Sequence, residues 1–247
     1  MLCRETLTKK GGFQQLIGAT LRLACQQGLL QTSSRQVAID STGLESGHTS
    51  DYYSKRCKLH KHHYPKLSGV CDTQSHLFIS AVADSGPKPD DPEFIPAVRQ
   101  AYQQQPFAEI VADAGYDSER HHRLVRETLG AISIIPPLRS RPTTKLPSSP
   151  YRREMAIAFP HKRYNQRWQI ESVFSQYKRV LGSVIRSRNY WSQCREVLLR
   201  VLTHNLMIIR RYSMFSTKQK AARFSSHSIM TGLKYGLGKT GILLNYP

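Results

Sequence analysis

The sequence predicts an α/β protein, a mixed sheet flanked by helices, and three observations carry that reading. Short apolar runs of strand length alternate with longer stretches of helical periodicity. Two of those runs, Val37-Ala38-Ile39 and Phe107 to Ala112, stop on an acid that is followed by a turn sequence. The elements follow one another as strand, hairpin, helix, strand, helix, strand, helix, the alternation that layers helices against a mixed sheet. The 247 residues suffice for one large domain or two small ones, at roughly 100 to 200 residues each.

Phe13, Leu16, Ile17, Leu21, Leu23 and Ala24 recur at three- and four-residue spacings, which predicts a helix over Phe13 to Leu30 that stops near Gly28. Val37 to Ile39 is a buried strand that delivers Asp40 at its tip, before the polar turn Ser41-Thr42-Gly43. Lys66 to Asp72 and His76 to Ala83 flank the polar Thr73-Gln74-Ser75 and read as a hairpin. The Gly- and Pro-rich stretch from Ser85 to Pro92 is a loop, and Glu93 to Gln103 a helix.

Phe107 to Ala112 repeats the arrangement of the first strand and ends on Asp113, with Ser118 placed to cap the helix that follows. Ala131 to Ile135 is a fifth strand stopped by Pro136-Pro137, and Leu138 to Pro150 reads as a loop. Two further helices are predicted from about Lys162 to Leu181 and from about Gln193 to Arg211, and no structure is assigned beyond Arg211. The expected division is a short N-terminal helical segment (1–35), a candidate truncation, followed by a central α/β domain (36–211) and a basic C-terminal tail (212–247).

Lysine and arginine number 36 against 17 acids, a net charge of +19 spread along the chain. Such a surface seeks a polyanion, and nucleic acid is the default because neutralising phosphates releases counterions. The five cysteines include no C-x-x-C pair, which fits neither a disulfide framework nor a zinc ribbon and suits a reducing cytoplasm. No run of 18 apolar residues occurs, so membrane spanning is not expected. His60, His62 and His63, with Cys57 and Cys71, offer zinc-type donors at spacings of no standard site and read as a solvated basic loop. Asp51, Asp90, Asp91 and Asp117 are further acids near these segments, Asp117 being read as a turn or cap residue. Ser41 lacks the G-x-S-x-G elbow of a hydrolase nucleophile.

The decisive segment is the long predicted helix. Tyr164, Arg167, Glu171 and Lys178 stand at offsets 0, +3, +7 and +14, which at ~3.6 residues per turn share one face within about 60°. Taken alone, that face is equally a solvated surface with an Arg167–Glu171 ion pair worth ~0.2–0.5 kcal/mol. Trp168 and Phe174 beside it are expected in the core.

The pattern Tyr-x2-Arg-x3-Glu-x6-Lys resembles the signature of the DDE transposases of bacterial insertion sequences, in the insertion sequence four and five groups. Asp40-Ser41-Thr42-Gly43 resembles the first-aspartate motif of that family, and Asp113-Ala114-Gly115-Tyr116-Asp117-Ser118 the second. Ile134-Ile135-Pro136-Pro137 resembles the strand exit before the glutamate helix, and His204-Asn205-Leu206 part of the helix after it. Asp113 follows Asp40 by 73 residues and Glu171 follows Asp113 by 58, spacings of members without a large insertion.

The resemblance implies a ribonuclease H-like fold whose first and fourth strands bring the two aspartates together, with the glutamate arriving from a helix. It implies Asp40, Asp113 and Glu171 as catalytic residues holding two Mg2+ (or Mn2+) ions, since like-charged carboxylates need a cation between them and hard cations take oxygen ligands. It further implies Tyr164, Arg167 and Lys178 on DNA phosphates, double-stranded DNA (terminal repeats and target) as partner, a homodimer on DNA, and a nucleoid-associated cytoplasmic location. Only 39 residues precede Asp40, little room for the DNA-binding and dimerising region usual there. The alternative is therefore a truncated, catalytically inactive remnant acting only as a DNA-binding module.

Overall fold

A computed structural model describes residues 11–46, 63–138 and 146–236, with side chains described to residue 217. The chain divides into two compact units, Met1–Ile208 and Ile209–Pro247. His60, His62, Cys57 and Asp51 lie outside the described residues.

The first unit is built on strands β1 (Ser34–Gly43), β3 (Tyr64–Asp72), β4 (Phe78–Gly86), β5 (Phe107–Ala112) and β6 (Ile132–Ile134), in the sheet order β4-β3-β1-β5-β6. β1 pairs antiparallel with β3 and parallel with β5; β3 pairs antiparallel with β4, and β5 parallel with β6. An antiparallel meander thus supplies three strands and two parallel crossovers add the rest, the ribonuclease H-like arrangement, with the first and fourth long strands side by side. A two-residue strand β2 (Glu45–Ser46) pairs with β7 (Val184–Ile185) away from the main sheet.

β5 and the middle of β1 form where the sequence puts β-branched and apolar residues, and both are buried on both faces there, as a central parallel pair must be. Val37, Ala38, Ile39, Ile110, Val111 and Ala112 are all fully buried. β1 runs three residues past Asp40 rather than ending there, because Asp40, Ser41, Thr42 and Gly43 continue to pair with β3. Its pairing with β5, however, stops at Ile39↔Ala112. Asp40 is therefore the first residue beyond the parallel ladder, and Asp113 the corresponding residue beside it.

The helices are α1 (Gly12–Gln26), α2 (Asp91–Gln104), α3 (Glu119–Arg123, continued by a π turn over Leu124–Thr128), α4 (Pro150–Ile157), α5 (His161–Tyr164), α6 (Trp168–Leu181) and α7 (Tyr190–Gly236). Pro92 and two acids, Asp91 and Glu93, start α2 as the dipole favours. Ser118 occupies the cap position of α3 but makes no side-chain cap hydrogen bond. α4 begins within the stretch read as loop, at Pro150, which its fixed φ suits to a first helical position. The predicted single helix from Lys162 is three helical segments, α5, a 3-10 turn over Asn165–Arg167, and α6. α7 continues through Gly236 rather than stopping near Arg211, in keeping with the absence of Pro and Gly between Tyr212 and Thr231.

Among the described residues no helix is long and apolar enough to cross a membrane.

Candidate active site

α6 is docked by the stripe Ile170, Val173, Phe174 and Tyr177, spaced i, i+3, i+4 and i+7 and all buried. Phe174 meets Phe78 with ring centroids 6.0 Å apart, and Tyr177 meets the same ring edge-on at 6.2 Å and donates its hydroxyl to the Val197 carbonyl at 3.2 Å. Gly69, the cross-strand partner of Asp40, is what admits this packing. A Cβ there would lie 2.7 Å from the Phe78 ring and 3.6 Å from that of Phe174. Cross-strand partners point to the same face, so the space left by Gly69 and the Asp40 carboxylate both face α6.

The polypeptide before α6 is fixed by a polar bracket at the other end of β1. Gln36 and Glu109 are cross-strand partners. Gln36 Nε2 donates to Glu109 Oε2 and to the Arg163 carbonyl, each at 3.1 Å, while Arg163 donates Nε to Glu109 Oε2 at 3.0 Å and brings Nη2 into ionic contact with Oε1 at 2.7 Å. The residue four positions on, Arg167, is thereby brought over Asp40, itself four positions beyond Gln36. A cavity of about 350 Å3 opens beside the bracket, with Arg35, Lys162 and Gln166 among its lining residues.

Arg167 is the hub of the site. Its Nη1 lies 3.4 Å from Asp40 Oδ2 and its Nη2 2.6 Å from Glu171 Oε1. The 3-10 turn between Tyr164 and Arg167 places residues three apart on one side, and the phenol accordingly reaches the guanidinium. Burial works against the Arg167 charge, but Tyr164, Glu171, Asp113 and Asp40 outweigh it and hold its pKa above the ordinary value. Burial likewise raises Asp40, assisted by the charges of Asp113 and Asp90; the Ser41 N–H, 2.8 Å from Oδ1, and Arg167 oppose the rise. Burial also pushes up the Tyr164 phenol.

The structure thus gathers Asp40, Asp113, Glu171, Tyr164 and Arg167 at one end of the central strand pair. Lys178 is on the same helix, but at ~1.5 Å rise per residue it stands about 10 Å beyond Glu171 along the axis. Trp168 is exposed rather than in the core, because the α6 stripe that faces the sheet starts at Ile170; Phe174 is in the core as expected. Asp117 is more than a turn residue, since its carboxylate binds Arg152 (Nε at 3.0 Å, Nη2 at 2.7 Å) and accepts the Leu138 N–H at 2.8 Å. Cys71 is fully buried within β3, its thiol pushed up by burial, and offers no metal ligand. Sequence reasoning missed the Gln36–Glu109–Arg163 bracket, whose signal was two polar residues in otherwise apolar strands.

The oxygen-only set of Asp40, Asp113 and Glu171 suits a hard divalent cation in its chemistry, and a guanidinium already occupies a cation's position between two of its members. As arranged, no group of three or more His, Cys, Asp or Glu side chains among the described residues is drawn together so as to hold an ion.

The strand order and the acids at its centre define a ribonuclease H-like protein with a candidate carboxylate site. The family model described as transposase DDE domain matches residues 31–206, most of the chain, and the chain belongs to that family. Among solved structures it is similar to the transposase in a cryo-EM structure of the piggyBac transposase synaptic complex with hairpin DNA, at 13% identity and a TM-score of 0.44. That match covers 76% of this chain and 49% of the other, so the chain spans about half the length of that transposase. No curated protein matches the chain.

Proposed function

We propose that this chain is a metal-dependent DNA transposase that cleaves DNA at the ends of an insertion sequence and joins those ends to target DNA. The observation that carries the reading is Arg167, which is ion-paired with both Asp40 and Glu171 and feels the charge of Asp113. Asp40, Asp113 and Glu171 are the residues that would hold two Mg2+ or Mn2+ ions. The contribution of such ions, when bound, is to activate water or a DNA 3′-hydroxyl and to stabilise the leaving oxygen.

The protein's own groups orient the strand. Released from the carboxylates, Arg167 offers a phosphate its two-pronged fork, Tyr164 a hydroxyl, and Lys178, further along α6, a point charge. Arg35 and Lys162 extend this basic track past the bracket. The partner is double-stranded DNA, terminal repeats and target alike, bound by a homodimer. The division into an N-terminal segment to residue 35, a catalytic domain over 36–211 and a basic C-terminal segment belongs to the same reading.

A second reading rests on the same guanidinium. In the Asp40–Arg167–Glu171 cluster the guanidinium already bridges both carboxylates and offsets one of their two charges, as suits a module that binds DNA without cutting it. The two are separated by metal-dependent cleavage of DNA carrying the element's ends, comparing the unaltered chain with Asp113→Asn and Glu171→Gln. The transposase reading expects nicking at the element end with Mg2+ or Mn2+, lost in both variants while DNA binding persists. Binding without cleavage in either metal would establish the binding module instead.

A further inference from the structure

Behind the acid pair, on the opposite face of the sheet, lies a buried polar chain to which no role has yet been assigned. Side chains of adjacent strand residues point to opposite faces, so Ser41 faces away from Asp40. Ser41 and its cross-strand partner Ser68 join hydroxyls at 2.7 Å. On one side the Ser41 hydroxyl meets the Tyr116 phenol at 3.0 Å. On the other, Ser68 hydrogen-bonds Glu93 of α2. The Lys66 ammonium closes the chain, 3.1 Å from Glu93 and 2.6 Å from Asp90, with further contacts at 3.2 Å to the Lys88 and Pro89 carbonyls. The Lys66 and Glu93 side chains are only 4% and 9% exposed.

The proton count gives this chain a direction. Glu93, paired with an ammonium, is a carboxylate and only accepts. Ser68 must spend its one proton on Glu93, so Ser41 donates to Ser68, and Tyr116 in turn donates to Ser41. Each hydroxyl is therefore held in a single orientation by a charge set at the far end. The two ends of the ordered section are the two aspartate turns. Ser41 presents its N–H to Asp40 Oδ1 at 2.8 Å, and the Tyr116 N–H donates to the Asp113 carbonyl at 3.0 Å.

We infer that Glu93 is a positioning residue for the Asp40–Asp113 pair, acting through Ser68, Ser41 and Tyr116 to tie the two acid-bearing turns together, so that only Glu171 and Arg167 need move to admit a divalent cation. The inference rests on the proposal that this pair holds metal. Glu93→Gln keeps the shape of the side chain and removes the fixed direction. An amide placed between Lys66 and Ser68 must aim its NH2 at one of them, so either the ammonium faces a donor or the run of hydroxyls reverses.

The test is Mn2+ titration calorimetry on the full chain, with thermal unfolding recorded for every variant. Groups hydrogen-bonded directly to metal ligands typically contribute about 10–100-fold in affinity; Glu93 acts through two hydroxyls, so Glu93→Gln should weaken Mn2+ binding several-fold, up to about tenfold. Tyr116→Phe, which removes one oxygen and leaves the ring in place, should weaken it several-fold. In the double variant the two losses should not multiply, because both break one chain. Affinity of Glu93→Gln within twofold of the unaltered chain, or losses that multiply, would overturn the inference. If Glu93→Gln does not fold, an unchanged affinity in Tyr116→Phe overturns it equally. Asp113→Asn separates the two proposals. If that variant loses Mn2+ binding and Glu93→Gln does not, only the positioning role falls. If the unaltered chain binds no Mn2+, the metal site falls and the positioning role with it.

Discussion

Acid should destabilise this protein in large part through His122. The imidazole is fully buried, its Nδ1 is 2.7 Å from Ser133 Oγ, and its Nε2 has no hydrogen-bond partner. Asp117 Oδ1 is 3.9 Å from Nε2, but that carboxylate is already held by Arg152. Burial first, then the positive charge of Arg126, pull the His122 pKa down to about 4, against the opposing pull of Asp117 and Glu119. The unfolded chain takes up this proton near pH ~6.5. The folded pKa being the lower one, the protein keeps its full stability above the unfolded value and loses it as pH falls from there toward 4. The loss works out at roughly 2 kcal/mol by pH 5 and roughly 3 kcal/mol below pH 4. Urea unfolding at pH 7.5 and pH 5.0 measures it, with His122→Asn as the control that carries no titrating group. The variant should be weaker at pH 7.5, yet its own loss between the two pH values should be smaller by about 2 kcal/mol. Equal losses in the two proteins would refute the reasoning.

Two structural predictions follow from buried polar groups. Asn205 donates to the Phe78 carbonyl and accepts the Phe78 N–H, both at 2.9 Å, and donates to Thr20 at 3.1 Å, joining α7 to β4 and α1. At ~1 kcal/mol per bond, and more for backbone groups left unpaired, Asn205→Ala should lower stability by about 3 kcal/mol in chemical denaturation. Asp117→Ala strips Arg152 of its partner and frees the Leu138 N–H. Because Arg152 is partly exposed, about 2 kcal/mol is expected, short of the ~3–5 kcal/mol for breaking a fully buried pair, and a fall in thermal midpoint measures it.

Much of the fold was legible in the sequence because period and punctuation are local properties. Phe107–Ala112 is a strand with the predicted bounds, and the hairpin around Thr73 and the helix near Gly12 fall within a few residues of expectation. The departures have local causes too. α4 was overlooked because Pro150, read as the end of a loop, is also a helix start. α7 runs on past Arg211 through a segment with no Pro and no Gly before Gly232, whose weak periodicity gave the sequence reading nothing to follow. Trp168 was assigned to the core on residue type alone, whereas the docked stripe begins two residues later.

The sequence by itself singled out the residues of the candidate site. Two acids closing apolar strands, and an arginine four residues before a glutamate on a helix, are spacings the chain carries however it is folded. Only the tertiary structure decided what those residues do to one another. That Arg167 spans Asp40 and Glu171, that Gly69 leaves room for α6 to approach Asp40, and that Glu93 reaches Ser41 from the far face are contacts between segments dozens of residues apart. Periodicity is set by each residue's neighbours along the chain, while such contacts depend on register, packing and the removal of water, which exist only once the sheet and helices have assembled.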